Sequence, residues 1–298
     1  MKEYTFYTVD VFTDKLFGGN PLAVFPAASG LSSAQMQKIA REFNLSETAF
    51  ILPSQRTDAT CAVKIFTPGG ELLFAGHPTI GSAFVLAITG QVCAKENSTT
   101  IFLEEGIGIV PVKIVFRSGD LPVYAELSAA QMPEYGNQQL PLLDQLAAML
   151  SLNCQDLLQA QAISCGLPFV FVQLSSRESL KKAQLQLELW QQLLADCWAS
   201  SVYLFYRDGE QINARMFAPG LGIREDPATG SAATALAGLL CKDYLQSDGT
   251  LLWKIEQGIE IDRPSFLQLE ADIQGGNITA IRVGGSCVLV TQGIFKIN

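Results

Sequence analysis

Short alternating segments dominate the chain. VDVF, CAVKIF, TIFLEE, IVPVKIVF, INARMF, LLWKIEQ, FLQLEA, ITAIRV and CVLVTQG set apolar residues at every second position, the period of a strand with one buried face. Two stretches carry the helical period instead and run on into a strand. In AQMQKIAREFNLSETAFIL, Met36, Ile39, Ala40 and Phe43 share a face; in LELWQQLLADCWASSVYLF, Trp190, Leu193, Leu194 and Cys197 do. A further pair, TIGSAFVLAI and TGSAATALAGLL, offers water no polar face. A helix that is apolar all round has to be wrapped on all sides. The simplest arrangement is a strongly curved sheet closing around a buried helix, made twice.

The doubling is visible in the residues. KIFTPGGELLFAGHPTIGSAFVLA begins at Lys64 and ARMFAPGLGIREDPATGSAATALA at Ala214. Phe66 and Phe217, like Pro68 and Pro219, stand 151 positions apart; Pro78 and Pro227, Gly81 and Gly230, and Ser82 and Ser231 stand 149 apart. A two-residue deletion joins the two groups. Upstream, GGNPLAVF resembles CGLPFVFV, with Pro21 and Pro168 147 apart. The order and nearly constant offset point to an internal repeat. The division expected is 1–118 plus about 280–298 for the first domain and 119–279 for the second. The Pro-, Gly- and Gln-containing stretch 117–143 is the candidate crossover.

Composition narrows the classes. The chain has 298 residues, 48% hydrophobic, enough for one large unit or two of ~150 residues. Net charge is −9 and no basic cluster exceeds two residues, which argues against nucleic acid and anionic membrane surfaces as partners. Seven cysteines with no CxxC spacing read as reduced core residues, and a single histidine makes a zinc site improbable. The opening MKEYTFYTVDVF reads as a strand, not a signal peptide, and no apolar run reaches membrane-spanning length. The expectation is a soluble cytoplasmic protein without a metal.

Aligning the repeat puts His77 opposite Asp226. Each directly precedes a proline and, a few residues on, the Gly-Ser that opens an apolar helix. Helix starts carry unpaired amides and the positive dipole end, a ready anion site. If the halves face each other, two such starts converge on one cleft flanked by His77 and Asp226. Plainer readings exist: Asp226 as an N-cap, His77 as a hydrogen-bonded structural residue. A shared cap, however, has no need to swap an acid for an imidazole. Ser82 reads as an ordinary helix residue. Glu47, in NLSETAF, stands where the first amphipathic helix ends and a strand begins. Its counterpart is about Ser201, so the acid is not a duplicated feature. Beside apolar Leu45 and Phe50 it is a candidate general base, with a solvated turn residue as the plain alternative.

VDVFTDKLFGGNPLAVF, NLSETAF, ELLFAGHPTIGSA, EDPATGSA and EQGIEIDRPS, in this order from residue 8 to residue 265, resemble the PhzF-like family of phenazine biosynthesis, a branch of the diaminopimelate-epimerase fold. The resemblance implies an α+β protein of two pseudo-symmetric domains, each a β-barrel around a central helix. It implies Glu47 as the acid/base that takes a proton from one carbon and returns it to another. His77, Asp226 and Ser231 would hold the polar groups of the substrate, Gly76 and Gly230 would offer backbone amides, and Asn20 would line the cleft. The substrate class would be a small carboxylate-bearing molecule and the assembly a homodimer, with no cofactor. Epimerases of this fold that use two facing cysteines differ here, since neither loop has one.

Two rivals are weaker. A Ser231–His77–Asp226 hydrolase lacks a G-x-S-x-G elbow, and its aspartate would sit on the serine's own loop. GIGIVP and GLGIRE lack the third glycine of a dinucleotide fingerprint. The alternative of another class is a non-catalytic small-molecule-binding protein that keeps the cleft; it has no need of a proton carrier.

Overall fold

The computed structural model describes residues 1–117 and 121–297. Chain contacts divide it into two compact units, Met1–Ala130 with Arg282–Asn298, and Gln131–Ile281. The change of unit falls inside the stretch 117–143. The expected boundary at residue 118 lies outside the described residues.

The first unit runs β1 (Lys2–Val11), β2 (Asn20–Phe25), α1 (Ser33–Phe43), β3 (Glu47–Leu52), β4 (Cys61–Phe66), β5 (Glu71–Leu72), α2 (Gly76–Ile88), β6 (Ser98–Glu105), β7 (Gly108–Arg117) and β8 (Leu121–Ser128). The second contains β9 (Glu134–Tyr135), α3 (Leu143–Met149), β10 (Leu157–Ser164), β11 (Pro168–Leu174), α4 (Arg177–Lys182), α5 (Leu187–Leu193), β12 (Ser201–Asp208), β13 (Gln211–Ala218), β14 (Ile223–Asp226), α6 (Gly230–Leu240), β15 (Gly249–Gln257) and β16 (Ser265–Gln274). β17 (Asn277–Gly285) carries the chain from the second unit to the first, which β18 (Cys287–Ile297) completes.

In the first unit the ladder passes from β18 through β1, β2, β3, β4, β6, β7 and β8 to the end of β17. It wraps α2, which touches β1, β2, β3, β4, β7 and β8 and is buried from Gly76 to Ala87. In the second unit the ladder runs β9, β10, β11, β12, β13, β15, β16 around α6, buried over its whole length. The two apolar helices are therefore wrapped, as their missing polar faces require.

Gly81 makes this packing possible in the first unit. A Cβ there would stand 2.5 Å from Leu22 Cδ2 and 2.9 Å from Val11 Cγ2, so the helix lies against β1 and β2 with no room for a side chain. Gly81→Ala is expected to lower the thermal midpoint despite alanine's helix propensity, because overpacking costs ~1–3 kcal/mol against ~1 kcal/mol gained. A raised midpoint would contradict this packing.

The outer faces carry the amphipathic helices. Met36, Ile39 and Ala40 pack with Phe25, Phe50 and Phe66, and Phe43 adjoins them. Ser32 and Gln35 close a capping box at the start of α1, and Asn44 ends it in the left-handed region. Trp190 and Leu194 are buried in the corresponding cluster, where Leu193 and Cys197 are only partly covered. That helix is short: α5 stops at Leu193.

The two units use the same registers. Leu22 faces Glu47 as Phe169 faces Ser201, in parallel pairs. Thr48 faces Phe66 as Val202 faces Phe217, in antiparallel pairs. Cys61 faces Leu103 as Ile212 faces Ile255, again in parallel. The strand in LPVYAELS, absent from the alternating segments read above, forms β8; a register shift beside Phe116 breaks its regular period.

Candidate active site

In the first unit the site is assembled by three elements. β2 brings Asn20, β3 brings Glu47, and the first turn of α2 brings His77. Asn20 and Leu22 lie on one face of β2, and Leu22 both pairs with Glu47 and touches α2, so Asn20 and Glu47 face the helix that carries His77. Gly19, at φ +62° with the Val11 carbonyl oxygen 2.3 Å from where a Cβ would be, allows the chain to enter β2 at Asn20.

All three side chains are buried. Asn20 Nδ2 lies 3.2 Å from His77 Nδ1, and His77 Nε2 lies 3.4 Å from Glu47 Oε2. The amide can only donate from Nδ2, so Nδ1 accepts and the ring proton sits on Nε2, toward the carboxyl group. Burial pushes the imidazole down to about 3, well below the ordinary 6.5. The ring is therefore neutral at pH 7, so its 3.4 Å approach to Glu47 is not an ion pair. His77 Nε2 and Glu47 Oε2 make no hydrogen bond at this distance, and the neutral ring is not a proton source.

Two expectations about this site are corrected. The Gly81–Ser82 pair does not open α2; the helix starts at Gly76, so His77 lies within its first turn. Phe50 does not shelter Glu47. It stacks on Phe25 and packs against Phe66 on the opposite face of β3, because side chains three apart on a strand point to opposite sides. The N-cap of α2 is Ala75, without a capping side chain, and helical geometry leaves the Gly76 and His77 amides no intrahelical partner.

In the second unit Asp226 is the last residue of β14 and buried. The N-cap of α6 is Thr229, and no side-chain cap bond is made, so the capping reading of Asp226 does not hold. Thr229 Oγ1 donates to Asp226 Oδ2 at 2.6 Å, while Gln257 Nε2 donates to Thr229 Oγ1 at 3.0 Å and to the Asp226 carbonyl at 2.8 Å. This chain of donors holds Asp226 beside the first turn of α6, where Gly230 and Ser231 are buried. Met216 pairs with both Asp226 and Tyr203, so these three side chains share one face of the sheet. His77 and Asp226 are thus equivalent in sequence but differ locally: one is on a helix, the other on a strand.

Thr229, Gln257 and Glu105 escaped the reading of the residues. The signal for two of them was parity. Glu105 follows Ile101 and Leu103 on the buried face of β6, and Gln257 follows Trp253 and Ile255 on the buried face of β15. Burial pushes the Glu105 carboxyl up to about 8.

Glu105 and His77 give stability opposite slopes with pH. Glu105 holds a proton in the folded chain that the unfolded chain loses above its ordinary 4.5, so its contribution falls from about pH 4.5 to about 8. The unfolded chain binds a proton at His77 below 6.5 that the folded chain refuses until about 3, so that contribution rises with pH between these values. Each slope is at most ~1.4 kcal/mol per pH unit, and the two oppose one another where they overlap. Above about pH 6.5 only the falling term remains. Glu105→Gln is expected to gain in urea midpoint relative to the parent between pH 6.5 and 8. An unchanged difference would contradict the assignment.

Among the described residues no group of His, Cys, Asp and Glu could hold a metal ion, and no helix is long and apolar enough to cross a membrane. All seven cysteines are free.

The family model for phenazine biosynthesis-like proteins, PhzC-PhzF, matches residues 9–293. The chain belongs to this family. An uncharacterized isomerase of Mesorhizobium japonicum is 38% identical, over 98% of this chain and 99% of its own length. The trans-2,3-dihydro-3-hydroxyanthranilate isomerase of Pseudomonas aeruginosa is 33% identical, over 97% of this chain and 98% of its own. Among solved structures, a PhzF-family phenazine biosynthesis protein of Bacillus anthracis matches with a TM-score of 0.86 and 24% identity, covering all of both chains. A hydroxyproline epimerase of Agrobacterium vitis shares the fold at a TM-score of 0.64 and 12% identity, over 98% of this chain and 92% of its own. The α+β, diaminopimelate-epimerase-like fold expected from the motifs is the fold found, and the Mesorhizobium japonicum and Pseudomonas aeruginosa relatives of this PhzC-PhzF member are isomerases by name.

Proposed function

We propose that this PhzC-PhzF protein is a cofactor-independent isomerase that shifts a proton between two carbons of a small carboxylate-bearing metabolite. The observation that carries this reading is the buried row Asn20–His77–Glu47, in which a neutral ring bonded to Asn20 has its other nitrogen 3.4 Å from the one carboxyl group of the row.

In this mechanism the Glu47 carboxylate takes a proton from a C–H bond of the substrate. The electron pair of that bond moves into the adjacent conjugated system, and the charge that develops is met by the amides at Gly76 and Gly230, the Ser231 hydroxyl and the His77 N–H. Protonated Glu47 then delivers the proton to a second carbon, so that atoms and charge balance and the enzyme is restored. Asp226, held by Thr229, binds a polar group of the same substrate. No thiol takes part in this one-base scheme. Homodimeric assembly accompanies the scheme.

The relative that acts on trans-2,3-dihydro-3-hydroxyanthranilate suggests the first compound to test. Turnover of that compound in heavy water is expected to place deuterium on a carbon that carried none, as read by proton NMR. If related cyclic amino-carboxylates bind to the protein yet none exchanges a carbon-bound hydrogen, the binding-protein reading replaces this one.

A further inference from the structure

Outside the proposed proton path the first unit buries two further carboxyl groups, Asp10 in β1 and Glu105 at the end of β6. The Oε1 of Glu105 lies 2.6 Å from Thr79 Oγ1, and the same hydroxyl lies 2.8 Å from the carbonyl oxygen of Ala75. Glu105 Oε2 is buried without a partner, and Glu105 makes no ion pair. A threonine hydroxyl has one proton to give. The Ala75 carbonyl can only accept. If Thr79 gave its proton to Glu105, two lone-pair oxygens would face each other at 2.8 Å with nothing between them. Both contacts are satisfied when Thr79 donates to Ala75 and the carboxyl group donates to Thr79.

The second unit gives an independent argument. Because Cys61 pairs with Leu103 and Ile212 with Ile255, Glu105 and Gln257 occupy the same place in the two ladders, each followed by a glycine. Gln257 is a neutral donor, and it donates to the threonine hydroxyl at the start of α6. Thr79 matches Ala228 and not Thr229 in the repeat, yet each threonine lies near the start of its helix, and the first unit sets an acid beside that hydroxyl where the second sets an amide.

We infer that Glu105 is a positioning residue: as a neutral carboxylic acid it donates to Thr79, which donates to Ala75, and so fixes the turn of α2 that aims His77 at Glu47. Thr79 is two residues from His77 and Ala75 is the N-cap of that helix, so the clamp acts directly on the histidine's turn. The titratable group facing Glu105 is Cys61 on β4, whose thiol burial and the nearby carboxyl group push up to about 12. It stays neutral and does not compete. The burial that pushes Glu105 up to about 8 keeps the acid protonated at pH 7.

His77 is the only histidine, so a uniformly 15N-labelled full chain shows one imidazole spectrum. Its nitrogen shifts are expected to move with a midpoint near pH 8 in the parent, although the ring itself stays neutral, and to remain flat in Glu105→Gln. A flat parent, or the same titration in Glu105→Gln, overturns the inference. Thr79→Val is expected to displace the signal at every pH; an unmoved signal also overturns it. The inference rests on the isomerase reading only for its effect on rate. There Glu105→Gln keeps kcat within about threefold, while Thr79→Val loses ~10–100-fold in kcat with little change in KM. A fully active Thr79→Val enzyme removes the positioning role. Absence of any isomerase activity, with the NMR result intact, removes only the proposed reaction.

Discussion

Glu47→Gln is expected to abolish exchange of carbon-bound hydrogen while leaving ligand affinity within roughly tenfold. The substitution keeps the size of the side chain and a carbonyl oxygen for the His77 N–H to reach, 3.4 Å away in the parent. What it removes is the ability to hold a proton reversibly. General acid–base groups typically contribute ~10²–10⁴-fold, and a scheme with a single base has no second carrier to take over. The drop should therefore appear in kcat, at least ~10³-fold, and not in KM. Deuterium incorporation followed by NMR, with calorimetric binding in parallel, separates the two quantities. A Glu47→Gln protein that still exchanges hydrogen removes the base assignment.

Gly258→Ala is expected to be the most damaging small substitution in the second unit. Gly258 follows Gln257 at φ +78°, and a Cβ there would stand 2.4 Å from the Arg263 carbonyl oxygen and 2.6 Å from that of Pro227. Both obstacles are backbone, so neither gives way cheaply, and Pro227 is bonded to Asp226. The left-handed conformation alone costs an L-residue ~1–2 kcal/mol. The clash brings the expected total above ~3 kcal/mol and displaces the loop holding Asp226. Gly90→Ala is the control: its φ is +71°, but nothing lies within 4 Å of the added atom. Urea midpoints of the two variants should differ clearly, with Gly90→Ala losing only the ~1–2 kcal/mol of its left-handed conformation. Equal losses would mean that the approach of Gly258 to Pro227 is not what requires a glycine.

Much of this was legible before any coordinates. Wrapped helices follow from two segments that have no polar face, and the repeat placed Ser201 opposite Glu47, the register that the parallel pairs Leu22–Glu47 and Phe169–Ser201 display. His77, Asn20 and Glu47 were named separately, and the fold of the first unit brings them into one row. The start of α2 was less legible. Gly-Ser opens α6, but the first turn of α2 begins five residues before its Gly81 because no side chain marks a cap at Ala75. The supporting residues were hidden for a different reason. Glu105 and Gln257 continue the inward face of their strands, yet a polar residue closing an alternating run reads as the point where the chain returns to water. Only the partner hydroxyls on Thr79 and Thr229 show that it does not.

The most direct test of the central claim, that Glu47 moves a proton on a bound substrate, is a crystal structure with a non-reacting cyclic amino-carboxylate bound. The account predicts polar contacts from residues 76–77 to the ligand, with the Glu47 carboxyl group against one of its carbons. A ligand without contacts to residues 76–77, or one that leaves Glu47 sealed from it, would contradict the account.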